Sequence, residues 1–452
     1  MSRNINKEIL KLAIPSILAN ITVPLVGMVD IAVAGHLDAN AATLIGGISI
    51  GSMLFDLLYW NFGFLRVSTG GLTAQAYGRG DNGECRRILS RSMGLSLSIA
   101  AILILIQWLF VQFAFLFIDC TPQVRELASR YFYIRIWAAP ATLGLMAMKG
   151  WMIGMQDSVS SMILDLVVNG VNILASIVLA AGIGRWHGLG FTGIAAGTVL
   201  AQYSGLATSS VIIAIKYKDV FAGYRLAEAV ASFWDSDTRR FMTMNRNLFI
   251  RSVCFIAIYI GYTVISAQYG DLLLASASIM MRLLMIFSYF TDGFAYAAEA
   301  MTGKYIGARD SDGLKSTILW VFVWSISIAV LFIGIYYIGG TWMLRIMTSD
   351  AAVVECGRQF LLWLLFMPLL GVVAFTWDGI YIGATASVQI RNAMLWSVAA
   401  FLAVWLTGLP VLRNSGLDSG ENCIHLLMGA YFAHLVARSV YLTIIFRKTT
   451  FI

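Results

Sequence analysis

The chain is 452 residues long, 59% hydrophobic, only 12% charged, and carries a formal net charge of +7. A mean hydropathy of +0.79 excludes an ordinary water-soluble domain of this length. The positive balance does not point to nucleic acid, because the basic residues gather between apolar runs, where they orient a membrane protein.

At roughly 20 apolar residues per crossing, the chain divides into about twelve helices. The apolar runs predict spans over 9–37, 44–77, 88–118, 127–155, 160–183 and 189–215, then 246–269, 272–306, 315–346, 354–384, 390–412 and 424–446. Several exceed what a bilayer needs, so tilt or extension beyond it is expected. The fold class is therefore an all-α polytopic membrane protein.

Arg3, Lys7 and Lys11 open the first span, and Arg79, Arg86, Arg87 and Arg91 follow the second. Further basic residues lie between the sixth and seventh spans, after the eighth (Lys304, Arg309, Lys315), after the tenth (Arg391) and at the end (Arg447, Lys448). The alternate loops, around His36, Arg125, Arg185, Asp271 and Arg413, are poorer in basic charge. Positive-inside counting places both termini in the cytoplasm.

The first span contains Asp30, a carboxylate at a depth where charge is costly and is usually paired, protonated or functional. It lies six residues after Pro24, which can kink the helix. Either a cation- or proton-driven movement or a structural aspartate satisfied by amides fits this placement. Arg66 in the second span reads as one half of a structural ion pair with another helix, in preference to a substrate contact.

On the fifth span Asn169 and Asn172 lie three apart and share a face. They serve either as interhelical glue or as ligands, and Gln202 and Tyr203 on the sixth carry the same two readings. Gly193 and Gly197 form a GxxxG that permits close helix contact.

Between Tyr217 and Asn245 runs the longest polar segment, with charges interspersed among Val220, Phe221, Leu226, Phe233 and Trp234. It reads as an interfacial amphipathic linker. The chain divides into 1–216, the linker 217–245, and 246–452.

The two flanking parts are related. AQAYGRGD (Ala74 to Asp81) resembles GKYIGARD (Gly303 to Asp310), at an offset of 229 residues (307 less 78). The same offset takes Gly150 to Gly379, Gly154 to Gly383 and Ser158 to Ser387. One register across motifs this far apart marks an internal repeat. Six spans per repeat make it a parallel 6+6 repeat of two pseudo-symmetric six-helix lobes, with small-molecule transport as the natural use.

In the second lobe Arg282, Asp292 and Glu299 are intramembrane charges; Asp292 and Glu299 are seven apart and share a face. They form a second protonation site or a satisfied charge network. Lys149 and Asp378 occupy repeat-equivalent positions with opposite charge, which suggests a gate near the cytoplasmic ends.

Five scattered cysteines give neither a disulfide framework nor a metal site. Four scattered histidines form no HExxH, and there is no GxSxG or phosphate-binding GxxxxGK[ST]. An enzyme or an ATP-driven pump is thus disfavoured, and no cofactor beyond a coupling ion is expected.

At four stretches the chain resembles the multidrug and toxic compound extrusion transporters, in their DNA-damage-inducible-F-like branch. These are PLVGMVDIAVAGHL (Pro24 to Leu37), FLRVSTGGLTAQAYGRGD (Phe64 to Asp81), GLGFTGIAAGTVLAQ (Gly188 to Gln202) and DGFAYAAEAMTGKYIGARD (Asp292 to Asp310). The resemblance implies a V-shaped pair of six-helix lobes that exports organic, often cationic, compounds in exchange for H⁺ or Na⁺. It implies a monomer in the bacterial inner membrane, with the lipid bilayer, the substrate and the coupling cation as its partners.

By the same resemblance Asp30 matches the first-helix proton or cation acceptor, Asn172 its polar partner, and Thr198 a threonine lining the same chamber. Asp378 resembles the tenth-helix acid of some members. Some members carry a second acid four residues after the asparagine; here that position is Ser176, a cavity candidate, and Asp165 lies elsewhere on the helix. One carboxylate suits Na⁺ less than H⁺. The rival function is a lipid-linked oligosaccharide flippase of the same broader superfamily, which would line its cavity with more cations than Arg66 and Arg282.

Overall fold

The computed structural model describes residues 4–35, 37, 41–118, 120–182, 186–223, 228, 233, 236–348 and 350–446. His36, Arg185, Arg225, Leu226, Trp234, Arg447 and Lys448 lie outside the described residues, as does most of the middle of the linker. Among the described residues the elements are helical, with no β-strand.

The first part comprises α1 (Ile5–Gly35), α2 (Ala41–Trp60), α3 (Phe64–Gly78), α4 (Asn82–Ala114), α5 (Pro122–Arg135), a 3-10 turn (Ile136–Ala138), α6 (Ala139–Gly154), α7 (Ser158–Ala181), α8 (Phe191–Lys216) and the short α9 (Lys218–Phe221). The second comprises α10 (Ser236–Ala267), α11 (Asp271–Gly307), α12 (Ser311–Met347), α13 (Ala351–Arg358), α14 (Leu361–Gly383), α15 (Ser387–Asn414) and α16 (Gly420–Phe446). α1 is helical through Pro24, whose side chain is outside the described ones.

Eleven described stretches are long and apolar enough to cross a membrane. The predicted span over 127–155 is not among them. It is divided into α5, the 3-10 turn and the 16-residue α6. α5 carries Arg125, Glu126, Arg130 and Arg135, and Pro140, which has no N–H to donate, stands in the first turn of α6.

Packing divides the chain into two compact units, one of Leu18–Met242 and one of Met1–Ile17 with Thr243–Ile452. The opening turns of α1 thus belong with the later helices. Glu8 pairs with Lys304 at 2.7 Å, and Trp324 Nε1 donates to Asn6 Oδ1 at 3.3 Å.

The repeat is visible in the backbone. The offset of 229 carries the starts of α4, α7 and α8 onto those of α12, α15 and α16, and the end of α6 onto that of α14. Asp81 caps α4 by accepting from Glu84 N at 2.8 Å, and Asp310 caps α12 by accepting from Gly313 N at 2.9 Å.

The repeated glycines have a packing cause. A Cβ at Gly150 would strike the carbonyl of Arg66, and one at Gly379 would strike that of Ala295, its repeat equivalent. Gly154 meets Thr73 and the Gly70 carbonyl, while Gly383 meets Thr302 and the Glu299 carbonyl. α3 crosses α6, and α11 crosses α14, with backbone against backbone.

Candidate functional site

One set of buried polar groups of the Leu18–Met242 unit converges from α1, α7 and α8. Asp30 on α1 is 5% exposed. Ser176 Oγ on α7 donates to Asp30 Oδ1 at 3.0 Å. One turn earlier, Asn172 Nδ2 donates to Thr198 Oγ1 on α8 at 3.0 Å, and that hydroxyl turns towards the Ile194 carbonyl at 3.4 Å. Asn172 Oδ1 is buried without a hydrogen-bond partner among the described residues. Such an acceptor is costly to leave unmet and suits an incoming donor or cation.

Small residues set this geometry. A Cβ at Gly197 would come within 2.7 Å of Ser176 N, so the glycine lets α8 lie against α7 where Ser176 and Asn172 project. Gly193 does the same beside Leu179. The GxxxG therefore holds the helix pair that carries the polar set.

Asn169 Nδ2 donates to Thr22 Oγ1 at 2.7 Å, a second lacing of α7 to α1 two turns before Asp30. Gln202 is half-buried on α8. Tyr203 is 41% exposed, and its hydroxyl donates to the Trp137 carbonyl in the 3-10 turn at 2.9 Å. Arg66 is half-buried on α3.

Sequence reasoning did not single out Arg135. At the end of α5 its guanidinium stands 4.7 Å from the Phe55 ring centroid, with Nη1 donating to Tyr131 Oη at 3.2 Å. Asp30, Tyr59 and Asp56 all lie within its electrostatic reach. The signal was present as the second of two arginines (130, 135) in one predicted span.

Lys149 and Asp378, the possible gate pair, each have a partner within their own unit. Lys149 Nζ meets Asp165 Oδ1 at 2.5 Å, which accounts for Asp165. Asp378 Oδ2 accepts from Arg251 Nη2 on α10 at 2.9 Å and lies 3.5 Å from Arg438 Nη1 on α16. The arginines at Asp378 are thus Arg251 and Arg438. Arg282 is exposed on α11, whereas Glu299 is 1% exposed and Asp292 half-buried, within electrostatic reach of Arg438. Arg251 and Arg438 are intramembrane charges of the same kind as Asp30, and the same rule would have found them.

Outside the spans, Asp157 caps α7 by accepting from Ser160 N at 3.1 Å, and takes Lys216 Nζ at 2.6 Å and Tyr217 Oη at 2.7 Å. Burial pushes its carboxyl up, but the bonds from Lys216, Ser160 and Tyr217 together hold it below its ordinary 3.8. Burial and the neighbouring carboxylate raise the Tyr217 hydroxyl. Among the described residues no three His, Cys, Asp or Glu side chains group as a metal site.

A buried acid with amide and hydroxyl company, in a repeated bundle of membrane-length helices, is the architecture of a membrane transporter. The MatE family model matches residues 15–178 and 248–409, and the chain belongs to that family of multidrug efflux transporters, which are not enzymes. It is a multi-pass membrane protein with the family's 12-helix fold.

The DNA damage-inducible protein F of Escherichia coli K12 is 33% identical over 414 residues, covering 91% of this chain and 88% of that protein. A probable multidrug resistance protein NorM of Geobacillus kaustophilus is 21% identical, covering 85% and 82%. Among solved structures, a MATE protein in its straight conformation superposes with a TM-score of 0.83 at 15% identity, over 98% of this chain and 97% of that one.

Proposed function

We propose that this chain is an antiporter of the bacterial inner membrane, with both termini cytoplasmic, that exports organic cations in exchange for protons. Asp30 is the group the two ligands share. The observation that supports this best is the bond from Ser176 to Asp30: the helix that could have supplied a second acid supplies a hydroxyl. A lone carboxylate beside the unmet Asn172 Oδ1 suits a proton or an organic ammonium better than a desolvated Na⁺, which favours several hard oxygen ligands.

In the ionised state Asp30 holds the cationic end of the substrate. Protonation removes that charge, weakens substrate binding, and lets α1 bend at Pro24, where no N–H is available to complete the helix. Exchange follows from competition for one carboxylate. The chain acts as a monomer.

Ethidium transport in proteoliposomes under separate pH and Na⁺ gradients tests this, with Asp30→Asn as the control. Transport driven by the pH gradient alone, and lost in Asp30→Asn, is the expected result. Wild-type rates in Asp30→Asn would remove Asp30 from the mechanism, and drive by Na⁺ alone would change the coupling ion.

The rival flippase reading draws support from Arg251 and Arg438, buried or half-buried cations beyond Arg66 and Arg282. It predicts movement of a lipid-linked oligosaccharide and no transport of ethidium.

A further inference from the structure

Arg438 is 1% exposed, yet its donors are only partly used. Nη1 faces Asp378 Oδ2 at 3.5 Å and Met394 Sδ at 3.4 Å, and the guanidinium carbon stands 5.3 Å from the Phe375 ring centroid. Nε and Nη2 have no hydrogen-bond partner among the described residues, and both are buried. These two nitrogens form the side-on edge of a guanidinium, whose parallel N–H bonds match the two oxygens of a carboxylate.

The resident acid does not fill that edge. Asp378 turns one oxygen to both arginines, and its Oδ1 is likewise buried without a partner. Within contact distance two guanidiniums face one carboxylate; Asp292, the next acid, acts on Arg438 electrostatically. Arg251 adds a further buried Nε without a partner among the described residues, and its side chain is 23% exposed. A buried donor is costly to leave unmet, so a cluster that keeps three suits a ligand that meets them.

We propose that Arg438 and Arg251 form a carboxylate-binding subsite in the Met1–Ile17 and Thr243–Ile452 unit, with Asp378 as its resident counter-ion. The anion lies side-on against Nε and Nη2 of Arg438 and draws the Nε of Arg251. Asp378 aligns the two guanidiniums and, by its charge, keeps the affinity modest. The subsite is independent of the role proposed for Asp30, since it concerns other residues and is read by binding.

The test is thermal stabilisation of the purified full chain in detergent by sodium benzoate, with sodium phosphate and sodium chloride as parallel arms at constant ionic strength. Saturable stabilisation by benzoate is expected, with a Kd raised at least about tenfold in Arg438→Lys, which keeps the charge but loses the fork. Asp378→Asn is expected to tighten benzoate binding several-fold, an effect that a merely structural ion pair would not produce. No saturable effect of benzoate, or an equal effect in Arg438→Lys, overturns the subsite. Stabilisation by phosphate but not benzoate overturns the assignment to carboxylates. If Arg438→Lys is not recovered folded, Asp378→Asn decides: tighter binding supports the subsite, and unchanged or weaker binding overturns it.

Discussion

The two repeats share a frame and differ in what they bury. In the earlier helices α7 and α8 carry Asn172, Ser176 and Thr198; the offset of 229 places Phe401, Trp405 and Leu427 at the matching positions of α15 and α16, all buried. In the other direction Arg438 replaces Ser209, and Asp378 replaces Lys149. One unit keeps an acid with hydroxyl and amide company, and the other keeps two arginines around an acid. Backbone contacts at the repeated glycines and the caps at Asp81 and Asp310 are common to both. A duplicated bundle can therefore hold its crossings fixed while its buried polar chemistry diverges, because the crossings depend on glycines and the chemistry on other helix faces.

The largest test of that contrast is Asp30→Asn, expected to abolish pH-driven export in proteoliposomes. The matching face of the other unit has no acid to take over, with Phe401, Trp405 and Leu427 in place of the polar set. The frame comes next. Gly150→Val and Gly379→Val should each cost about 3 kcal/mol or more and leave little monodisperse protein by size-exclusion chromatography, since the clash is with backbone. A large difference between the two would break the equivalence of the crossings.

Ser176→Ala should weaken substrate binding roughly tenfold while leaving the protein folded, through loss of a hydrogen bond to a charged group. Tetraphenylphosphonium binding by equilibrium dialysis measures it. The smallest effects concern the helix starts. Asp157→Ala should cost about 1–2 kcal/mol. Because the folded carboxyl titrates below its ordinary 3.8, that stability is present above pH 3.8 and is lost as pH falls through the folded value. Thermal midpoints of the two proteins should converge in strong acid. Its equivalent, Ala386, caps α15 with no side-chain bond, so Ala386→Asp should raise the midpoint by about 1 kcal/mol of stability.

Much of the frame was legible in the sequence because it rests on regular signals. Apolar runs gave the spans, and AQAYGRGD against GKYIGARD gave the register that helix starts at Ser158 and Ser387 obey. The span over 127–155 is helical from Pro122 to Gly154, and what hydropathy averages away is the 3-10 turn of Ile136–Ala138 ahead of Pro140. Within the site, Asp30 stood out as a charge in an apolar run, while its bond to Ser176 needed the close approach of α7 and α8 at Gly197. Arg251 and Arg438 were legible by the same rule as Asp30, and Arg282, singled out instead, is exposed. Which arginine meets Asp378 depends on how α10, α14 and α16 are rotated about their axes, and one-dimensional spacing does not carry that.

The contact of Gly150 with the Arg66 carbonyl, and of Gly379 with that of Ala295, also acts as a length gauge. Removing one residue from α6 between Pro140 and Gly150 would turn the rest of that helix by about 100° and bring a bulkier side chain to the crossing. The stretches from Gly78 to Ser158 and from Gly307 to Ser387 are equal in length. Over that stretch the two repeats differ in many side chains and by no net insertion.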